Sequence, residues 1–540
     1  MPPVWVGLLQ KPSTPPNQIW HEPCTALSPE LIRYQKPVIA RSICQILQST
    51  LSQLVLLAIA LGRTVDDCRK ASDILHLHFL PMPSFAGRST TQRKKLITAA
   101  ATAFLVAWNI SSADSRPNTI LIFADDIGIE TIGAYGGEYP TPHIDSLAEN
   151  GIRFDYGYAT PVCTTSRTRL LTGTYNFKHY EAFGHLNPDY YTLPLHIKTA
   201  GYKTVVVGKW QLAGNMEIGG VGSYPSDIGY DEHLVWQLER FLKGSRYWQP
   251  TLSENGIAKT YCKDDFGPTI LNNYVLDFID KYHNQPFFIH YNPVLAHYPW
   301  TTTPDSLDAK TPKEKFHGMM SYLDKMVGRV IKKLEEHNLS ENTLIWFIGD
   351  NGTHPQITSH RHGIPITGGK WYSRNAGTHV PFILQWKKKL PKGVVRDDLV
   401  EVLDVFPTLA SAIGANSPVP LDGVDLLKIF NKKKKRIPRD AIFMHYDPQW
   451  GSDYFGTAMP AAKFIFDKRW KLYSDGSLYR IDKDPLEINP ISVSDLKRKE
   501  HGDYRKLKKQ FDSMISGPLK PPYLNKPLIE TIPPPAPNCP

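Results

Sequence analysis

Two pairs of hard oxygen donors, Asp125-Asp126 and Asp350-Asn351, stand more than 200 residues apart in this chain. Brought together, three carboxylates and an amide oxygen make a charge-rich, all-oxygen site of the kind that suits calcium. Without a cation the carboxylates would repel one another. Each pair alone is also a common turn or cap signal, so the reading depends on the fold joining them. Two lysines sit in glycine contexts, Gly208-Lys209-Trp210 and Gly368-Gly369-Lys370, where backbone can approach a ligand closely. One lysine is ordinarily surface decoration; two preplaced cations can act where transition-state charge develops. Cys163, in Cys163-Thr164-Thr165-Ser166-Arg167, precedes Ser166–Thr172, a helix start whose amide N–H groups and dipole favour an anion. The plain alternative is a buried structural cysteine. His297, in Ala296-His297-Tyr298-Pro299, is either a proton donor near neutral pH or an ordinary loop histidine.

The elements between these motifs give them a shared address. Thr119–Ala124 is a short apolar run, a buried-strand signal, and it stops at Asp125-Asp126. Lys203–Val207, Phe287–Tyr291 and Thr343–Ile348 read the same way and run towards Lys209, His297 and Asp350. Pro142–Glu149 reads as a helix, with Thr141 as cap, Pro142 at its first position and Gly151 just beyond its end. Thr269–Tyr282 and Pro312–His337 are of helix length. Alternation of this kind predicts an α/β fold: a large, mostly parallel sheet sandwiched by helices. Ligands bind outside the carboxyl ends of such strands, which is where each motif falls. Beyond Lys432, short strand-like stretches at Ala441–His445, Lys463–Phe466, Trp470–Tyr473 and Ser477–Ile481 predict a smaller antiparallel sheet.

In order, spacing and context, the motifs resemble the type I sulfatases, the formylglycine-dependent, arylsulfatase-like branch of the alkaline phosphatase superfamily. Leu171-Thr172-Gly173, Gly377-Thr378-His379-Val380-Pro381 and the segment Ile481–Glu487 fit the same likeness, which spans roughly Arg116 to Asn489. The resemblance implies an alkaline-phosphatase-like fold and hydrolysis of a sulfate ester, with a sulfated carbohydrate as the expected class. It implies that Cys163 is oxidised to formylglycine by a formylglycine-generating enzyme before the chain folds. One hydroxyl of the hydrated aldehyde would attack sulfur to give a sulfo-enzyme intermediate, and the other would expel sulfate. Asp125, Asp126, Asp350 and Asn351, with the modified Cys163, would hold one calcium ion. Lys209 and Lys370 would hold sulfate oxygens, Arg167 would orient the nucleophile, and His297 would protonate the leaving alcohol.

Two positions depart from the family pattern. Thr165 stands where relatives have Pro or Ala, inside the signal read by the modifying enzyme. Gln211 stands where many have a histidine base, so either another base serves, with His354, His360 and His362 as candidates, or turnover is slower. These departures keep a weakly catalytic, sulfated-glycan-binding relative among the readings. A phosphatase or phosphodiesterase of the same superfamily is the other alternative, disfavoured by the oxygen ligands and the two lysines.

The bulk numbers exclude other classes. With 41% hydrophobic and 21% charged residues, 540 residues suffice for a large domain and a smaller one. Of the formal charge of +10, residues 1–113 carry six, with 11 Lys and Arg against 5 Asp and Glu. The remainder is only mildly basic and has no nucleic-acid-binding motif, so no nucleic-acid partner is expected. Six cysteines in no CxxC pattern form no disulfide framework. Residues 93–115 read as a secretory signal peptide, with Arg93-Lys94-Lys95, the apolar Leu96–Ile110 and a small-residue exit. The expected organisation is therefore a mis-assigned upstream extension with the signal n-region at 1–92 (start at Met82) and the signal peptide at 93–115. A catalytic domain at 116–431, a subdomain at 432–516 and a Pro-rich tail at 517–540 follow. The competing membrane reading is Ile43–Gly62, 20 uncharged residues weakened by three Gln. The mature protein is expected to be exported, with no stable membrane span.

Overall fold

The computed structural model describes residues 116–179, 182–215, 220–238, 244–431, 436–447 and 461–515. The expected signal peptide, the start at Met82, the Ile43–Gly62 run and the Pro-rich tail lie outside the described residues. Among the described residues no helix is long and apolar enough to cross a membrane.

A ten-stranded sheet organises the chain. Its strands are β1 (Asn118–Ala124), β2 (Ile152–Tyr158), β3 (Lys203–Lys209), β4 (Glu232–Trp236), β5 (Thr251–Glu254), β6 (Ile257–Thr260), β7 (Phe287–Asn292), β8 (Thr343–Gly349), β9 (Phe382–Gln385) and β10 (Val394–Glu401). The spatial order is β10-β2-β9-β8-β1-β7-β3-β4-β5-β6. The five central strands, β8-β1-β7-β3-β4, are mutually parallel. Antiparallel β9 and the β5–β6 hairpin lie outside them, so the sheet is mixed but mostly parallel.

Both faces are covered, which explains why the central strands read as continuous apolar runs. Ile120, Ile122, Val205, Val207 and Ile289 face one way, against α1 (Pro142–Glu149), α4 (Gly267–Tyr282) and α5 (Pro312–Glu336). Leu121, Phe123, Val206 and Phe288 face the other, against α2 (Cys163–Thr172), α3 (Leu193–Thr199) and α6 (Val405–Ala412). Thr311 and Glu314 cap α5 reciprocally: the Thr311 hydroxyl accepts from the Glu314 N–H and the Glu314 carboxylate from the Thr311 N–H.

The C-terminal strands β11 (Ile442–Tyr446), β12 (Ala462–Phe466), β13 (Lys471–Tyr473) and β14 (Leu478–Tyr479) pair in sequence order as an antiparallel sheet. Its one face packs under α7 (Arg498–Ile515) through Leu507 and Phe511. Its other face, with Ile442, Met444 and Phe464, shares a cluster with Val162 and Cys163. The small sheet thus backs the start of α2.

Burial holds His233 down to about 4 and His379 down to about 3. Burial and then the Arg167 charge hold His290 down to about 3. Each is neutral in the fold yet takes a proton near its ordinary value of 6.5 once unfolded. The unfolded chain therefore binds more protons below that value, and stability falls as pH drops from about 6.5 towards 4, by about 1.4 kcal/mol per pH unit for each histidine. Thermal unfolding between pH 4 and 8 should show a level Tm above about 7 and a steady decline below about 6.5. A Tm that holds level down to about pH 5 would contradict this assignment.

Candidate active site

Register decides the first contact. β1 and β8 pair in parallel with Ala124 opposite Gly349, so Asp125-Asp126 and Asp350-Asn351 leave the sheet side by side. The Asp126 N–H donates to Asp350 Oδ1 at 3.1 Å, and Asn351 Nδ2 donates to Asp126 Oδ1 at 2.9 Å. All four residues are fully buried. Lys209 ends β3, two strands from β1, and its Nζ donates to Asp125 Oδ1 at 2.8 Å. Gly208 permits this close crossing: with φ 110°, a Cβ there would lie 1.8 Å from Asn292 O.

The remaining residues arrive on loops and on α2. Lys370 Nζ donates to Asp126 Oδ2 at 2.8 Å. Arg167, one turn into α2, donates from Nη2 to Asp350 Oδ2 at 2.8 Å. The three carboxylates are thus each matched with a buried cation. Cys163 begins α2, is a free thiol and is 2% exposed. Its Sγ and carboxylate oxygens of Asp125 and Asp350 lie within 4.8 Å of one another. The thiol also faces Gln211 Oε1 at 3.9 Å. No side chain caps α2 at Val162, so the first-turn amides beside Cys163 have no cap from that residue.

His297 stands 19% exposed at the edge, its Nε2 accepting from Lys370 Nζ at 2.8 Å and its Nδ1–H directed at Tyr298 O. Burial and then the Lys370 charge hold this imidazole well below its ordinary value, so it is neutral as placed. The structure therefore gathers all nine residues singled out in the sequence. Of the candidate replacement bases, only His354 lines the cavity, stacked on Tyr298 and against Trp371. His360 pairs with Glu138 at the surface, and His362 lies over Gly136 beside a different cavity.

Both departures have visible partners. The Thr165 hydroxyl donates to Val162 O at 2.9 Å and meets Thr160 Oγ1, closing the turn that leads into α2. Gln211 takes a left-handed φ of 57°, and its N–H donates to Gln237 O at 2.9 Å. Asp126, Gln237 and Trp371 are also left-handed, so non-glycine residues with positive φ gather around the site.

The donor set fits a hard divalent cation. Asp125 Oδ2 and Asn351 Oδ1 are buried with no hydrogen-bond partner, a costly state for polar oxygens unless an ion takes them. Burial and the adjacent Asp125 charge push the Asp350 carboxyl up to about 7, against the pull of Arg167. Burial alone would raise Asp125 too, but Lys209 and the other nearby cations hold it below the usual carboxylate range. Three carboxylates in one buried cluster cannot all stay charged cheaply, and a divalent cation removes that conflict.

A cavity of about 420 Å³ lies over Cys163, large enough for one sugar ring or aryl group. Lys209, His297 and Lys370 form part of its wall. Phe183, Trp236, Gln237 and Arg246 form another part, and none of these stood out in the sequence because they sit in no motif. The Lys370 loop is tied to the C-terminal sheet through Glu487, which accepts from the Asn375 N–H at 3.0 Å and from Lys471 Nζ at 2.8 Å.

Comparison with known proteins bears on the family and the fold. Residues 117–415 match the family model described as Sulfatase, and residues 369–516 match one described as N-sulphoglucosamine sulphohydrolase, C-terminal. Arylsulfatase A of Bos taurus is 29% identical over 369 residues, 62% of this chain and 71% of that protein. Arylsulfatase G of Rattus norvegicus is 27% identical over 385 residues, 59% of this chain and 70% of that protein. Among solved structures, one described as in complex with its substrate D-glucosamine-2-N,6-O-disulfate superposes with TM-score 0.60 at 18% identity, covering 74% of this chain and 98% of the other.

Proposed function

Given that the chain belongs to the sulfatase family, we propose that it hydrolyses the sulfate ester of a sulfated carbohydrate, with Cys163 converted to formylglycine and one bound calcium ion. Its homologues are sulfuric ester hydrolases, and this is the class of enzyme to which the chain belongs. The observation that carries the finer reading is the company kept by Cys163: a buried thiol beside two carboxylates, with two buried lysines on the same acidic cluster. A phosphatase built on paired zinc ions would need further His and Asp ligands; here lysines occupy the positions next to the carboxylates.

In this reading Asp125, Asp126, Asp350 and Asn351 hold the calcium, together with the modified residue 163. When bound, the ion would make a hydroxyl nucleophile more acidic and offset charge on a sulfate oxygen. Lys209 and Lys370 hold the remaining sulfate oxygens, and both are already fixed by carboxylates, so no reorganisation is needed as charge develops. Arg167 orients the nucleophile from one turn into α2. His297 serves the leaving alcohol; since Lys370 occupies its Nε2, a proton must first be loaded there before it can be given up. Gln211 can hydrogen-bond the nucleophile but cannot act as a base, which predicts slower sulfate release than in relatives with histidine there. The sulfated-carbohydrate class draws support from the solved relative with a disulfated glucosamine and from the N-sulphoglucosamine sulphohydrolase match. Export from the cell, and maturation by a formylglycine-generating enzyme, complete the proposal.

Sulfate release from a panel of sulfated monosaccharides and aryl sulfates tests it. Turnover should be lost on chelation and restored by calcium. Turnover indifferent to chelation would remove calcium from the reading. Hydrolysis of phosphate esters alone would replace the reading with the phosphatase one.

A further inference from the structure

Three cations at the site each have a carboxylate: Lys209 has Asp125, Lys370 has Asp126 and Arg167 has Asp350. A fourth does not. Arg246 lines the same cavity, its side chain only 11% exposed, and its Nη1 is buried without a hydrogen-bond partner. Asp125 Oδ2 stands 4.0 Å from this Nη1, within ion-pair reach but too far for a hydrogen bond, and the other oxygen of that carboxylate is taken by Lys209. The guanidinium lies over the Trp236 ring, 3.9 Å from its centroid, with Tyr247 at 5.6 Å. Stacking fixes its plane while leaving the donor edge uncommitted. A guanidinium N–H buried without an acceptor is costly, and a bound oxyanion would remove that cost.

Charge points the same way. Among the described residues, the charged side chains that line the cavity are Lys209, Arg246 and Lys370, all of them cations. A sulfate monoester carries a single negative charge, and in the reading above Lys209 and Lys370 already meet it. The geometry therefore points to Arg246 as the reader of a second oxyanion on the substrate, a carboxylate or a further sulfate placed beside the reacting ester. This inference rests on the sulfatase reading and narrows it: the preferred substrates are those in which the sulfated unit bears another acidic group. Arg246 acts here as a specificity determinant, because a site built to bond a group discriminates against the analogue that lacks it and leaves the donor unpaired. A planar, forked guanidinium suits both oxyanions.

The test uses matched aryl sulfates: the ortho-, meta- and para-carboxyphenyl sulfates, their carboxamides, and the three benzenediol disulfates. For the unaltered protein, at least one carboxylate or disulfate should exceed its neutral counterpart in kcat/KM by about tenfold or more. Which series shows the preference tells carboxylate from sulfate. In Arg246→Gln the ratio should collapse to about one, and Arg246→Lys, which keeps the charge, should hold an intermediate value. No preference in any isomer would overturn the inference. So would a preference that survives Arg246→Gln, or a Lys variant no better than the Gln one, since that would mark lost packing on Trp236 rather than lost charge. The same pairs are then titrated calorimetrically into Cys163→Ala protein. Tighter binding of the acidic member, lost in Cys163→Ala/Arg246→Gln, supports the inference even if no sulfate is ever released, whereas equal affinities overturn it. Absence of turnover in the unaltered protein counts against the sulfatase reading alone.

Discussion

Cys163→Ala should abolish sulfate release, lowering kcat/KM by roughly 10⁴-fold or more, as expected when a nucleophile acting within a unit is removed. The thiol of the unmodified chain lies beside Asp125, Asp350 and Gln211, at the uncapped start of α2. The substitution removes little volume and no hydrogen bond stronger than the 3.9 Å thiol contact, so the fold should survive it. Thermal unfolding of the variant checks that. Cys163→Ser should also fail to turn over, because a serine ester of sulfate has no second hydroxyl to expel it. In protein from the native host, mass spectrometry of the tryptic peptide Phe154–Arg167 should show aldehyde in place of thiol at Cys163. A thiol there in fully active enzyme, or an alanine variant keeping a tenth of the activity, would sink the nucleophile assignment.

Lys370→Met is the second large effect. Lys370 is 2% exposed and bonds both Asp126 and His297, so it joins the acidic cluster to the imidazole. Methionine preserves most of the volume but removes the charge, so the loss should read as electrostatics rather than packing. A preplaced cation facing developing charge is worth about 3–4 kcal/mol, and kcat/KM should fall by roughly 10²–10³-fold. The fall should appear mainly in kcat if the charge acts on the transition state, and in KM if it only holds bound sulfate. The variant also frees His297 Nε2 and removes the charge beside it, so the histidine should protonate more readily and the pH profile of kcat should shift upward. A Lys370→Met enzyme within about threefold of the parent, with an unmoved pH profile, would show that Lys370 is an internal counter-ion only.

Much of this protein was legible in its residues. Strands β1, β3, β7 and β8 announce themselves because each is buried on both faces and so reads as an apolar run, and each stops at a polar motif. The C-terminal strands were legible for a similar reason, as short apolar stretches between turn residues. Helix α2 was only half legible. All ten of its residues are buried, yet most are polar and reach tertiary partners, as Arg169 does with Glu401 and the Thr165 carbonyl with Asn176. Hydrophobic periodicity has nothing to report in such a helix. The antiparallel strand β9 and the β5–β6 hairpin were not anticipated, since sheet order and direction depend on contacts between distant segments.

The motif residues, and the chemistry their types permit, were determined by the sequence alone: oxygen donors in pairs, lysines beside glycines, a cysteine before a helix. Tertiary structure decided how they meet. The parallel register of β1 and β8 sets Asp125 next to Asp350; a one-residue slip would turn those side chains to opposite faces. It also decided that Arg246, an unremarkable loop arginine in the sequence, lies buried on Trp236 with an N–H left open. Local sequence encodes propensity and charge, but burial and the absence of a partner belong to the assembled fold, because they depend on residues far away along the chain.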